Sequence, residues 1–147
     1  MNIKKILYST DFSPTSNAAL PLATSLAREN GAVLLIVHVE EPAPAYGGGE
    51  LYYAPVGPSN DELREMLQQV LPPDSQVPCE HHLITGTPAR ALARFAKDND
   101  VDLIVMGTHG RRALSHVLMG SVAEAVVRRA PCPVLTLRPT AKQPVNA

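Results

Sequence analysis

The 147-residue sequence contains only two cysteines, Cys79 and Cys132, and they lie far apart. Two widely separated thiols match neither the framework of a disulfide-rich domain nor the paired spacing of a zinc site. We therefore expect both thiols to be reduced and structural, and we expect no resident metal site.

Long hydrophobic runs are also missing. The longest, at residues 32–37 and 103–106, are far shorter than the roughly 20 residues that a membrane-spanning helix needs. Residues 1–5 carry no signal-peptide pattern. Hydrophobic residues nevertheless make up 45% of the chain, enough for a substantial core at this length. These features predict one soluble, cytoplasmic domain that does not bind membranes.

No charge sign dominates, because 13 Lys and Arg against 14 Asp and Glu leave a net charge of −1. This balance argues against a protein devoted to nucleic acid or to an anionic membrane. The charge is unevenly distributed, since residues 107–147 hold six Lys or Arg and one acid, Glu124. Such an asymmetry fits either a solvated face or a site for a small anion.

Strand-like and helix-like segments alternate along the chain. Ser13-Pro14 and Thr87-Pro88 are typical helix starts, and Asn30-Gly31 is a typical helix end. Pro21 lies within the first helical segment and lowers the expectation of an unbroken helix there. The predicted strands cover residues 3–10, 32–39, 77–85, 102–106 and 134–137, and the predicted helices cover 14–30, 61–70, 88–98 and 121–130. On the last helix we expect Val122, Val126 and Val127 on one side.

This order predicts an open, mostly parallel five-stranded α/β sheet with helices on both faces. Residues 32–39 contain almost no polar side chain, as is usual for a strand covered on both faces. In such sheets, ligands bind beyond the carboxyl ends of the strands, where the strand order reverses. If the first and fourth strands are neighbours, their ends at 10–11 and 106–107 define the pocket. Residues 40–58, rich in proline and glycine, predict a long surface loop that is a candidate lid or partner-binding segment.

The segment from Gly107 to Ser121 contains the pattern that best indicates a binding site. Its glycines, Gly107, Gly110 and Gly120, allow backbone N–H groups to converge on one point. The helix that opens at Ser121 adds unpaired N–H groups and the positive end of its dipole, and Arg111 or Arg112 can add full charge. This pattern predicts a nest for a polyphosphate, although two ordinary loop turns and a serine N-cap would give the same spacing. Neither a phosphate-loop lysine motif nor a dinucleotide-binding glycine motif is present.

Four stretches of sequence resemble the universal stress protein family: ILYSTDFS at 6–13, GTPA at 86–89, DLIVMGTHG at 102–110 and LMGSVAEAV at 118–126. The closing PCPVL segment fits as well. The resemblance covers residues 1–139 as one domain and leaves 140–147 as a polar tail. ATP-binding members of that family carry Gly-x2-Gly-x9-Gly-Ser/Thr, which the three glycines and Ser121 match in full.

The resemblance implies a Rossmann-like fold of the adenine nucleotide alpha hydrolase type and a site for ATP or another adenine nucleotide, with Mg²⁺ held through the phosphates. Asp11 would lie beside the adenosine, with Ser9 and Thr10 along the same edge, and Val39 would offer backbone groups to the adenine. Met106 and Gly107 would flank the ribose and α-phosphate. The residues expected around the phosphates are His109, Gly110, Gly120, Ser121 and Val122.

Plainer roles exist for three of the polar residues. Asp11 could be a local Asx-type cap for the following helix, and His109 could be a surface histidine. His38 lies inside an apolar run and is better explained as a hydrogen-bonded core histidine than as a ligand.

The resemblance further implies that residues 134–137 form an edge strand that pairs with its copy in a homodimer. The expected function is a nucleotide-dependent regulatory or interaction module in stress response, acting on an unknown protein partner. A slow ATPase or phosphotransferase is one alternative, disfavoured because Glu124 is the only carboxylate of the C-terminal segment. An interaction protein that binds no nucleotide is another, and the intact glycine motif speaks against it.

Overall fold

The computed structural model describes residues 1–42, 57–108 and 120–138. In these ranges the chain forms five strands and five helices. In chain order they are β1 (Lys5–Ser9), α1 (Pro14–Asn17), α2 (Leu20–Asn30), β2 (Val33–Glu40), α3 (Asn60–Gln68), β3 (Cys79–Thr85), α4 (Pro88–Asp98), β4 (Leu103–Gly107), α5 (Ser121–Arg129) and β5 (Val134–Leu137).

The five strands form one sheet in the order β3-β2-β1-β4-β5, and every neighbouring pair is parallel. β1 lies between β2 and β4, with Leu7 opposite Leu35 on one side and opposite Ile104 on the other. The predicted parallel sheet is confirmed, and so is the predicted contact between the first and fourth strands. The strand order reverses between β1 and β4.

The sheet separates two apolar cores, because successive side chains of a strand point to opposite faces. Ile6 and Tyr8 of β1 join one core with small residues of α2 and with Leu67 of α3. Leu7 joins the other core, with residues of α4 and α5. The helices therefore cover both faces, as predicted.

The first helical segment is divided in two. Ser13 caps α1 by accepting a hydrogen bond from the Ser16 N–H at 3.2 Å, and α1 ends at Asn17. α2 then begins at Leu20, with Pro21 in its first turn. Proline has no N–H to donate to a preceding turn, so it is favourable in a first turn and unfavourable further along. α2 ends at Asn30, and its C-cap residue Gly31 has a φ of 64°, as expected for a glycine in that position.

The burial of α5 differs from the expectation. Ala123 and Val126 are buried, whereas Val122 and Val127 are 41% and 48% exposed. The prediction that Val122, Val126 and Val127 share one side is wrong, because residues five apart on a helix are separated by about 140° around its axis. Val122 and Val127 therefore lie on opposite margins of the buried face.

Three further expectations concern the rest of the chain. Both cysteines are free thiols, as predicted. Most of the loop predicted over 40–58 falls at residues 43–56, outside the described residues. Among the described residues, no helix has both the length and the apolar character required to cross a membrane.

Candidate functional site

The carboxyl ends of β1 and β4 lie side by side at the point where the strand order reverses. Ser9 ends β1 and Thr10 follows it, buried, with its N–H donating to the Val37 carbonyl of β2 at 3.0 Å. Met106 and Gly107 end β4. The sheet thus brings together the two strand ends that the sequence marked as a pocket.

The turn after β1 carries Asp11 in a tightly specified backbone. Phe12 has a φ of 66°, in the left-handed region that side chains rarely adopt. Its N–H donates to Thr10 Oγ1 at 3.0 Å, and the Ser13 N–H donates to Asp11 Oδ1 at 2.9 Å. Asp11 therefore does form the local Asx-type turn. The turn uses one of the roughly four acceptor positions of the carboxylate.

A cluster of buried hydroxyl groups supports the turn from below. Tyr8 Oη donates to the Ser16 carbonyl at 2.6 Å. Ser16 Oγ donates to the Ser13 carbonyl at 3.0 Å and lies 3.3 Å from Thr10 Oγ1. Burial raises the pKa of Tyr8 to about 12, so this hydroxyl keeps its proton at neutral pH. The cluster fixes α1 against the end of β1.

His38 of β2 packs on the same turn. Its Nδ1 lies 2.8 Å from the Thr10 carbonyl oxygen, and its ring lies 4.5 Å from the Phe12 ring between centroids. The side chain is buried. The expectation of a hydrogen-bonded core histidine is confirmed.

Gly107 lies where β4 and α1 pack closely. A Cβ at this position would lie 3.0 Å from the Thr15 carbonyl oxygen and 3.6 Å from the Ser16 Cα. The next residue, Thr108, is buried and donates its N–H to the Leu137 carbonyl of β5 at 3.1 Å. The end of β4 is thus held between α1 and β5.

The N-terminus of α5 is attached to this strand end. Gly120 is the N-cap residue of α5, and its N–H donates to the Thr108 carbonyl. Ser121 therefore occupies the first helical position and is not the cap. Because the first N–H groups of an α-helix have no intrahelical acceptor, the amides of Ser121 and Val122 are the ones oriented for an anion. Both residues are exposed.

The structure thus places eight of the candidate residues around the β1, β4 and α5 termini, and Val39 in the adjacent β2. The eight are Ser9, Thr10, Asp11, Met106, Gly107, Gly120, Ser121 and Val122. The other three candidates, His109, Gly110 and Arg111, lie outside the described residues.

Sequence reasoning missed the supporting residues Tyr8, Phe12, Ser16 and Thr108. A signal for part of this set was present, because five of the eight residues from Ser9 to Ser16 carry side-chain hydroxyl groups. Hydroxyl groups clustered around a strand end need partners on the same turn once they are buried.

Cation binding by side chains alone is not supported in the described part of the chain, which holds no group of three His, Cys, Asp or Glu able to surround a metal ion. The Glu124 carboxylate accepts a hydrogen bond from Arg128 at 2.8 Å on the exposed side of α5. A magnesium ion at this site would therefore depend on phosphate oxygens for its ligands.

Comparison with known proteins gives a consistent result. The model of the universal stress protein family matches residues 2–138. A universal stress protein of Thermus aquaticus is 38% identical over 136 residues, which cover 92% of this chain and 98% of that protein.

Solved structures agree with the sequence matches. The universal stress protein UspA from Lactobacillus plantarum aligns with a TM-score of 0.72 at 25% identity, over 94% of this chain and 99% of that one. A universal stress protein in complex with cAMP aligns with a TM-score of 0.66 at 25% identity, over 95% of this chain and all of that one. The open sheet described above is the Rossmann-like α/β fold of these proteins. On the family match and on the identity to its relatives, the chain belongs to the universal stress protein family.

Proposed function

We propose that the protein binds an adenine nucleotide, ATP in the first place, at the carboxyl ends of β1 and β4, and that the bound nucleotide regulates its interactions in stress response. The observation that carries the proposal is the junction of three elements. Gly107 packs on Thr15 of α1, and the Thr108 carbonyl holds the Gly120 N–H at the start of α5. A nucleoside site at β1 and an anion site at α5 are thereby adjacent. The related structure in complex with cAMP supports the ligand class.

Each part of the nucleotide has its own residues in this proposal. Ser9, Thr10 and Asp11 line the adenosine, Val39 offers backbone groups to the adenine, and Met106 and Gly107 flank the ribose and α-phosphate. The phosphates take N–H groups from Ser121 and Val122, and the remaining residues around them are His109, Gly110, Arg111 and Gly120. The Gly120 N–H is engaged by Thr108, so Gly120 contributes an open approach and no hydrogen bond. Mg²⁺ would be held through the phosphate oxygens.

Binding without rapid hydrolysis is the proposed mode of action. Phosphoryl-transfer enzymes hold metal ions with carboxylates and orient a nucleophile. The Glu124 carboxylate is bonded to Arg128 along the exposed side of α5, which suits a solvated ion pair and not a metal ligand.

The proposal also includes a cytoplasmic location and a domain that ends near residue 139.

Nucleotide binding can be tested on the purified protein. Denatured protein is examined for released adenine nucleotide, and the stripped, refolded protein is titrated with ATP, ADP, AMP and cAMP by calorimetry. A ligand at a hundredfold excess over its Kd should raise the free energy of unfolding by about 2.7 kcal/mol. Failure of all four nucleotides to bind would refute the proposal.

A matched pair of variants locates the site. Gly120→Val puts a branched side chain where phosphate must approach, at a φ of −67° and ψ of 154° that valine readily adopts. Gly57→Val introduces the same side chain where nothing lies within 4 Å of the new Cβ. We expect loss of ATP binding in Gly120→Val and wild-type binding in Gly57→Val. Equal affinities in the two variants would place the site elsewhere.

Homodimer formation through β5 is the second part of the proposal. β5 pairs with β4 along one side, from Val134 opposite Ile104 to Leu137 opposite Gly107, and it ends the strand order of the described sheet. Leu135 of this strand is 38% exposed. A strand edge of this kind offers unpaired backbone groups to a second copy.

Sedimentation equilibrium tests the dimer. We expect the wild type to sediment at twice its 15.8 kDa chain mass. Leu135→Lys should dissociate it, because a charge would then lie at the pairing edge. The control is Leu71→Lys, at a residue that is 58% exposed away from β5. A wild-type protein that sediments only as the 15.8 kDa chain at micromolar concentration contradicts the dimer.

A further inference from the structure

Three residues form a closed set of contacts, two in the turn after β1 and one in β2: Thr10, Phe12 and His38. His38 Nδ1 lies 2.8 Å from the Thr10 carbonyl oxygen. Thr10 Oγ1 accepts the Phe12 N–H at 3.0 Å, and the Phe12 ring returns to His38 with 4.5 Å between ring centroids. Each residue of the set therefore contacts the other two.

Asp11 is the residue enclosed by this set. The Thr10 carbonyl belongs to the peptide group that precedes Asp11, and the Phe12 N–H belongs to the one that follows it. Both are held, one by His38 and the other by Thr10 Oγ1. The direction in which the Asp11 side chain leaves the backbone is therefore set from both sides of its Cα, and the Ser13 N–H bonds the carboxylate itself at 2.9 Å.

The left-handed Phe12 backbone shows that the turn does not arise from local preference. A φ of 66° is unfavourable for a residue with a Cβ, and such conformations persist only where surrounding contacts over-determine them. The His38 ring supplies one of those contacts, and it comes from β2, 26 residues further along the chain. Because β2 is a central strand paired on both sides, it is a rigid support for the turn.

We infer that His38 is a positioning residue of the nucleoside site, and that its Nδ1 proton and its ring, acting through Thr10 and Phe12, hold the Asp11 carboxylate in the orientation that binds adenosine. The inference rests on the proposed function for its ligand. It assigns His38 no contact with the nucleotide. The Nδ1 atom must carry a proton, since a carbonyl oxygen only accepts hydrogen bonds.

The binding test uses adenosine and ATP with four variants. His38→Phe keeps an aromatic ring and removes the donor, whereas His38→Asn keeps a donor close to the position of Nδ1. We expect His38→Phe to weaken the binding of adenosine and of ATP by the same factor, roughly tenfold, the usual scale for coupled neighbours. His38→Asn should restore part of the affinity, because it returns the donor to the Thr10 carbonyl but not the ring contact with Phe12. In an Asp11→Ala background, His38→Phe should cause no further loss, because its effect passes through the carboxylate.

A readout on the free protein tests the contact itself. Correlation of the His38 ring nitrogens with their protons by NMR should show a proton on Nδ1 at neutral pH in the wild type and in Asp11→Ala. An Nδ1 without a proton would overturn the inference. If His38→Phe proves unstable in urea, Phe12→Ala, which removes the ring contact from the partly exposed side, carries the same test.

Failure of the proposed function and failure of the inference about His38 give different results. If wild-type protein binds neither adenosine nor ATP, the proposed function fails and the nucleoside role of His38 fails with it. If Asp11→Ala loses adenosine binding while His38→Phe retains it, the proposed function stands and the inference is wrong. Additive losses in the double variant would also overturn it, because His38 would then act independently of Asp11.

Discussion

Substitution of Gly107 by alanine tests the packing of α1 against β4 with a single methyl group. The added Cβ would lie 3.0 Å from the Thr15 carbonyl oxygen and 3.4 Å from the Thr15 carbonyl carbon. Backbone atoms must move to relieve this contact. They are restrained, because Tyr8 Oη bonds the Ser16 carbonyl at 2.6 Å and Ser13 caps the helix.

The expected change in the free energy of unfolding of Gly107→Ala follows from two opposing effects. Overpacking a restrained site destabilises by about 1–3 kcal/mol. Replacing glycine by alanine also restricts the unfolded chain, which stabilises the folded state by about 0.4–1 kcal/mol. The net loss should be about 1–2 kcal/mol, or a Tm lower by roughly 3–8 °C for a domain of this size.

Urea denaturation at pH 7 measures the effect, with Gly57→Ala as the matched control. A Cβ at Gly57 meets nothing within 4 Å, so this variant should be as stable as the wild type or slightly more stable. The two substitutions are chemically identical and should shift the urea midpoint in opposite directions or by clearly different amounts. If Gly107→Ala unfolds at the same urea concentration as Gly57→Ala, the close contact with Thr15 does not constrain the fold.

Two further predictions concern titratable groups. Burial raises the pKa of Tyr8 from 10.0 to about 12, so above pH 10 the folded state keeps a proton that the unfolded state loses. The stabilising effect of the neutral Tyr8 hydroxyl is complete below pH 10 and is lost as the pH rises towards 12. The free energy of unfolding, measured by urea denaturation, should therefore fall by up to about 1.4 kcal/mol per pH unit as the pH rises from 10 towards 12. It should fall less in Tyr8→Phe, and an identical pH dependence in that variant would contradict the assignment. Burial also raises the pKa of the Cys79 thiol and, together with the nearby Asp102 charge, that of Cys132. Both thiols should react with iodoacetamide at pH 8 more slowly than glutathione does. Mass spectrometry follows the reaction, and the variants Cys79→Ala and Cys132→Ala separate the two sites. A rate equal to that of glutathione would contradict the raised pKa values.

Most of the fold could be predicted because its signals are local. Ser13-Pro14 starts α1 and Gly31 ends α2 where capping chemistry places them. Helical spacing already separates Val122 from Val127, but their exposure could not be predicted from hydrophobicity, because the burial of residues on the margins of the α5 face depends on what packs there.

The site was predictable in outline, because parallel topology places the ends of β1 and β4 together. The contacts that support the site could not be predicted. The left-handed φ of Phe12 occurs beside a ring contact with His38 from another strand, and no local propensity reveals that contact. Gly107 fits a phosphate-binding pattern in the sequence, and the structure adds a second reason for glycine there, the approach of Thr15.

The hydrogen bond between the Gly120 N–H and the Thr108 carbonyl joins the two ends of an eleven-residue stretch, 109–119. Because the Thr108 N–H is bonded at the same time to the Leu137 carbonyl, one residue ties the start of α5 to the C-terminal end of β5, and a displacement of either end has to pass through Thr108.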